Sequence, residues 1–383
     1  MTTLPYSLPI LTCLKAGLAF VFSGLVASAV IPIVIREVKR LNLLDTPNER
    51  KAHKNPTPTL GGIGVFAGIL VGLFASLLSW ISTDSFGELP YLLVALIMLF
   101  GVGIMDDLHD FSAKRKFLFQ IGAALLVAWG GVRLSGFYGM FGITEVPVFL
   151  QYTLTVILIV GVTNAVNLID GIDGLSGGLG FTNALVFALL FALSGDKHYA
   201  ILAFAMAGSL LGFLRYNFNP AKIFMGDTGA LVIGFLQAVM GIKLVMDNHL
   251  SQQTPAISHS TVIVFGILLL PVADTLRLFT ERMLNGKSPF KADRNHIHHL
   301  LMRMGCGHKS AAIILYIANI SLIVLAFFFA YLENFSQGFS ILLLLALPIV
   351  GMKWLFYAAP EVAKKTTTTA AKSIESPKET VLR

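Results

Sequence analysis

The sequence predicts an all-α polytopic membrane protein, and three observations predict it. Of 383 residues, 55% are hydrophobic and only 13% are charged. The mean hydropathy is +0.77, and apolar runs recur from residue 9 to residue 358. A soluble fold cannot hide that much apolar surface, so lipid must be the solvent. Runs near 10–35, 61–81, 90–105, 117–134, 148–168, 175–194, 199–214, 228–245, 260–277, 310–332 and 337–358 each read as a span. The count is about eleven helices, or ten, because several runs are short or carry Gly.

The first run contains an "ASA" at Ala27 to Ala29 but has no preceding Lys or Arg, so a retained helix is expected rather than a cleaved signal. Cys13 and Cys306 cannot make a disulfide framework. The net charge of +7 does not call for nucleic acid, because the basic residues follow topology. Alternate loops hold them: Arg36 to Lys54, then Lys114, Arg115 and Lys116, then Arg215 and Lys222, then seven from Arg277 to Lys309. The opposite loops hold only Arg133 and Lys197, with Lys243 at a helix end. Basic residues near span ends stay in the cytoplasm, which places the N-terminus outside and the C-terminus inside.

Residues 1–358 then read as one integral-membrane domain whose cytoplasmic loops are 36–60, 106–116, 168–175, 215–227 and 278–309. Residues 359–383, rich in Thr, Lys and Ser without an apolar period, read as a disordered cytoplasmic tail. Every unusual polar cluster falls on that one side of the membrane.

In "MDDLHD" (105–110), helical spacing brings Asp110 near Asp106 and Asp107. Crowded like charges need a cation, a proton or a basic partner, and a solvated helix end is the plain alternative. In "NLIDGIDGLSGG" (167–178), Asp170 and Asp173 interrupt apolar sequence, and a carboxylate at membrane depth costs roughly 2.5–3.5 kcal/mol. The surrounding glycines allow a phosphate to approach the backbone.

"FMGDTGAL" (224–231) repeats the design, with Asp227 either an N-cap or a metal ligand. "DRNHIHH" (293–299) sets His296, His298 and His299 among Lys291, Arg294 and Arg303, which suits phosphate oxygens better than zinc. "HKNPTPTLGG" (53–62) adds Lys54 and Thr59 before a Gly pair. Acids for a divalent metal, bases for phosphates and Gly-rich turns are the equipment of phosphoryl transfer. Placed at a lipid boundary, that equipment implies one lipid reactant and one soluble reactant.

"TPTLGG", "MDD", "NLIDGIDGL", "FMGDTGAL" and "DRNHIHH" occur in the order and spacing of the polyprenyl-phosphate N-acetylhexosamine-1-phosphate transferases. The resemblance spans residues 40 to 305. It implies transfer of N-acetylglucosamine 1-phosphate from UDP-GlcNAc to undecaprenyl phosphate, with Mg²⁺ or Mn²⁺ as cofactor, in a bacterial inner membrane. A homodimer is left open. By the same resemblance, Asp106 and Asp107 handle the lipid phosphate and the metal, and Asp227 is the principal metal ligand.

Asn167, Asp170, Asp173, Asn217 and Phe224 correspond to nucleotide-pocket positions; Lys54, Thr59 and Lys116 lie near the phosphates. His296, His298 and His299, with Arg294, belong to the last catalytic loop. Ile297 interrupts the three consecutive histidines of the phospho-N-acetylmuramoyl-pentapeptide branch, and Leu300 replaces its Phe. This disfavours that substrate and leaves open which histidine acts. Another UDP-N-acetylhexosamine, or a Mg-dependent prenyltransferase reading of Asp106-Asp107-x-x-Asp110, are the alternatives.

Overall fold

The computed structural model of the protein describes residues 10–45, 56–80, 87–109, 111–138, 143–250, 257, 259–288, 295–332 and 336–374. The eleven apolar runs become eleven helices, and one short helix is added. They are α1 (Ile10–Arg40), α2 (Gly62–Trp80), α3 (Leu89–His109), α4 (Ala113–Trp129), α5 (Val148–Ile169), α6 (Leu175–Ser194), α7 (Lys197–Asn217), α8 (Gly226–Leu250) and α9 (Ser260–Leu284). The short α10 (Ile297–Arg303), then α11 (His308–Tyr331) and α12 (Gln337–Ile374), follow among the described residues.

Among the described residues, eight helices are long and apolar enough to cross a membrane: α1, α3, α5 to α9 and α11. Shorter apolar stretches lie in α2 (Gly62–Ala75) and α12 (Gln337–Lys353).

Apolar patterning decides which helix is central. α8 shows apolar residues on every face along residues 230–242, as a deeply buried helix does, and Val232, Phe235, Leu236, Val239 and Met240 are fully buried. It packs against α2, α3, α5, α6 and α9, while α7 packs against α1, α2 and α6. Outward faces are apolar too: Leu18 and Leu25 on α1, and Ile317, Val324 and Phe328 on α11, are exposed, which only lipid tolerates in such density. Polar side chains in the interior are joined to one another. Asn319 donates to Asn183 (2.8 Å), which donates to Gln237 (2.7 Å), tying α11, α6 and α8.

At the C-terminus, α12 runs past its apolar stretch to Ile374. No glycine follows Gly351, and Pro360 does not end the helix. The Ala, Glu and Lys residues beyond it are strong helix formers, so a helix begun by the apolar stretch meets no stop.

The end of the bundle where α3 and α5 finish and α2, α4, α6 and α8 begin gathers the polar motifs. A two-residue ladder, β1 (Leu44–Asp45) against β2 (Thr57–Pro58), leads into it. From there the chain binds the segment before α8: Phe224 N–H donates to the Pro58 carbonyl (2.8 Å), and Gly61 and Gly62 N–H donate to the Phe224 and Met225 carbonyls (2.9 Å each). The backbones come so close that a Cβ on Gly62 would lie 2.1 Å from the Gly229 nitrogen.

Gly62→Ala should therefore lower the thermal midpoint in detergent by an overpacking cost of at least about 1–3 kcal/mol. Gly101→Ala, where a Cβ meets nothing within 4 Å, should not lower it; equal midpoints for the two variants would refute this account.

Candidate active site

The start of α8 leaves backbone N–H groups unpaired, and in a lipid environment such groups must find acceptors. The acceptor comes from α3. Asp107 takes the N–H of Asp227 (2.8 Å) on one oxygen, and the N–H (3.0 Å) and hydroxyl (2.6 Å) of Thr228 on the other. Gly226 makes room: its φ of +69° suits glycine, and a Cβ there would lie 2.4 Å from the Asp107 carboxylate. The sequence offered Asp227 as the cap of α8, but Asp107 does that work and leaves the Asp227 carboxylate free to face the site.

Asp227 accepts from Asn167 Nδ2 on one oxygen (2.6 Å) and from the Lys116 ammonium on the other. The same ammonium binds Asp106. Lys116 thus bridges α3 and α8, and it is the basic partner that the crowded acids of "MDD" require. Asp170, just past the end of α5, has no side-chain hydrogen-bonding partner among the described residues. Burial, then the negative charges of Asp227 and Asp107, push its carboxyl up to about 7.

Asp173 and Asn217 hold the framework rather than facing the acids. Asp173 is buried and accepts from Asn219 (2.8 Å), from the Ala221 N–H (3.0 Å) and from His308 (3.1 Å). Burial raises its pKa, but these bonds outweigh burial and hold it below the ordinary carboxylate range. Asn217 accepts from the Gly174 N–H (3.0 Å) and donates to the Ile223 carbonyl (2.9 Å). Phe224 fixes the strand-like approach to α8 through its backbone. Thr59 is partly buried between β2 and the Gly pair. Lys54, Asp110 and Arg294 lie outside the described residues.

The histidine motif reaches the same place from α9. His298 is buried against Gly171, where a Cβ would lie 2.2 Å from its Nε2, one residue from Asp170. Burial, then the neighbouring His299 and His296, push its imidazole down to about 3, so it is neutral at pH 7. Neither of its ring nitrogens has a partner among the described residues. The rings of His296 and His298 lie parallel, 5.9 Å apart, and His299 is tilted 4.3 Å from His298.

The sequence reading did not single out Asp274 of α9, which pairs with His296, or His308, which pairs with Asp173. An Asp within an apolar span was the available signal for the first.

Asp170 gives a pH prediction. Its folded pKa of about 7 exceeds the ordinary 3.8, so the folded state retains a proton that the unfolded chain releases. That stability is present below about pH 4 and is lost as pH rises through about 7. In magnesium-free buffer, Asp170→Asn should flatten the fall in thermal midpoint between pH 5 and pH 8; an unchanged slope would contradict the assignment.

Comparison with known proteins fits the geometry. The family model described as Glycosyl transferase family 4 matches residues 89–245, a stretch that holds Asp106, Asp107, Lys116, Asn167, Asp170 and Asp227. A Bacillus subtilis protein named "Probable undecaprenyl-phosphate N-acetylglucosaminyl 1-phosphate transferase" is 37% identical over 319 residues, 82% of this chain and 85% of its own. A Mycobacterium tuberculosis decaprenyl-phosphate N-acetylglucosaminephosphotransferase is 33% identical over 73% of each chain. The Escherichia coli K12 undecaprenyl-phosphate alpha-N-acetylglucosaminyl 1-phosphate transferase is 31% identical over 73% of this chain and 74% of its own. With its polar motifs assembled around the start of α8 and relatives matching over most of its length, the chain belongs to glycosyl transferase family 4 and is a membrane-embedded glycosyl-1-phosphate transferase.

Proposed function

We propose that the protein transfers N-acetylglucosamine 1-phosphate from UDP-GlcNAc to undecaprenyl phosphate, giving undecaprenyl-diphosphate-GlcNAc and UMP. On this reading it catalyses the first membrane step of a cell-envelope glycan pathway. The observation that carries the reading is the meeting of Asp106, Lys116, Asn167 and Asp227 at one end of the bundle, beside Asp170 and the neutral His298. The names of the relatives support the choice of reactants. The distribution of basic residues supports a cytoplasmic site in a bacterial inner membrane, where a soluble nucleotide sugar meets a lipid carrier.

The chemistry exchanges one phosphoanhydride for another. A phosphate oxygen of the lipid attacks the sugar-bearing phosphorus, the bond to the uridine-linked phosphate breaks, and UMP leaves with the bonding pair. A dianionic lipid phosphate needs no base, and the reaction is close to thermoneutral.

The protein's part is positioning and charge compensation. Lys116 stands between two carboxylates and can turn its ammonium to phosphate oxygens without leaving them. Asn167 fixes one oxygen of Asp227, and Asp107 fixes the backbone that carries it. His298 offers uncharged hydrogen-bonding atoms to the sugar or the diphosphate. Asp106, on the far side of Lys116, faces the lipid phosphate.

The donor set fits Mg²⁺, with Mn²⁺ as a substitute. Asp170 feels the negative charges of Asp227 and Asp107, as a hard oxygen donor beside others would where a cation could offset them. Among the described residues no three His, Cys, Asp or Glu side chains gather tightly enough to hold an ion alone. That suits an ion which takes one or two carboxylates and completes its shell with phosphate oxygens. Asp227 and Asp170 would hold it, with Asp107 bracing α8 behind them; when bound, it would neutralise charge developing on the diphosphate.

The test is UMP release from UDP-GlcNAc by purified protein supplied with undecaprenyl phosphate. Asp227→Ala should reduce it by at least about 10²–10³-fold, the usual loss when a preorganised electrostatic group is removed. Normal turnover by that variant, or an unmodified protein that leaves UDP-GlcNAc intact, would sink the proposal. Faster turnover of UDP-N-acetylgalactosamine would replace the sugar and leave the chemistry.

A further inference from the structure

Asp274 lies in the middle of apolar α9, 1% exposed, among the most deeply buried charges described. Burial of a carboxylate at that depth is unfavourable unless its oxygens are fully engaged. They are. One oxygen binds His296 Nδ1 at 2.8 Å; the other accepts from Arg277 Nη2 at 3.0 Å and from the Ile297 N–H at 3.1 Å. Arg277 also donates to the Asn295 carbonyl and pairs with Glu281 at 3.1 Å. Three consecutive residues, Asn295, His296 and Ile297, are therefore tethered to one turn of α9.

A carboxylate beside one ring nitrogen selects the tautomer. Asp274 offers an acceptor to Nδ1, so His296 carries its proton there, and Nε2 is the nitrogen left for a ligand. His298 stacks parallel to His296 and rests on Gly171, next to Asp170. Fixing His296 therefore fixes the ring stack against the carboxylate cluster. We propose that Asp274 is the positioning residue of the histidine loop. It holds His296 by Nδ1 so that Nε2 meets the diphosphate of the bound nucleotide sugar, and it touches no reactant itself. The identity of that ligand rests on the proposed function; the tether does not.

The test uses the full chain in detergent, with UDP-GlcNAc and undecaprenyl phosphate. Asp274→Asn should lower kcat by about 10–100-fold, the usual loss on removing a partner that orients an active-site group. The KM for undecaprenyl phosphate should not change. The double variant with His296→Asn should be no slower than His296→Asn alone, because both changes remove one unit. ¹⁵N-histidine spectra should show His296 as the Nδ1-protonated tautomer in the unmodified protein.

Wild-type kcat in a folded Asp274→Asn protein, additive losses in the double variant, or an Nε2-protonated His296 would each overturn the proposal. Should Asp274→Asn fail to fold, the histidine spectrum and two other variants decide. His296→Asn, whose side-chain amide can still donate to Asp274, should keep the thermal midpoint that His296→Ala loses, and equal midpoints would overturn the tether. Absence of UMP release by the unmodified protein would count against the substrate reading alone, since spectra and midpoints still report on Asp274.

Discussion

The grip of Asp107 on the first turn of α8 is the interaction on which the rest of the site depends. A helix that begins inside a membrane protein cannot leave its leading N–H groups to water, so a carboxylate must come from elsewhere in the fold. It comes from the last turn of α3, and three glycines permit it. Gly226 clears the carboxylate itself. Gly103 lets α3 lie against Thr228, and Gly62 lets α2 lie against Gly229; a Cβ at either would come within 2.5 Å of that backbone. Once α3 and α8 are joined there, Asp106 and Asp227 have no choice but to be neighbours.

That proximity creates a charge problem, and Lys116 is its standing answer. One ammonium serves Asp106 and Asp227, while Asp170 lies within reach of the Asp227 and Asp107 charges and retains a proton near neutral pH. The arrangement is stable without ligand yet far from saturated. A diphosphate brings negative charge that Lys116 can meet, and a divalent cation can replace the proton that Asp170 holds. Binding on the proposed reading is an exchange of charge partners within a rigid frame, which is how phosphoryl-transfer sites reduce reorganisation.

Much of this was legible in the sequence. Apolar runs located the eleven long helices among the described residues, eight of them long and apolar enough to cross a membrane, because a span must be about 20 apolar residues whatever surrounds it. The five polar motifs were expected on one face, and the structure gathers the described parts of all five around the start of α8. What the sequence could not give was the division of labour. Asp227 reads equally well as the cap of α8 or as a metal ligand; only the approach of α3 to α8 makes Asp107 the cap. Asp173 looks like the twin of Asp170, yet the loop before α8 folds back and engages it, while Asp170 keeps its carboxyl free. Asp274 has no local motif beyond Arg277 one turn on, and the histidine-loop partners it holds lie 22 and 23 residues further on.

The site therefore has two anchors of different kind. The carboxylates and Lys116 stand at the ends of α3, α5 and the deeply buried α8, and on α4, which packs against α3 and α5, and their spacing is set by backbone contact. The histidines stand on a short helix that belongs to the core formed with α9, α11 and α12, and Asp274 is what ties that helix down. The two meet where His298 rests on Gly171, a contact that admits no side chain. Family resemblance explains why both halves are present. The buried ion pairs of Asp274 and the glycine at 171 explain why they are held in register, which residue identity in the motifs alone could not have shown.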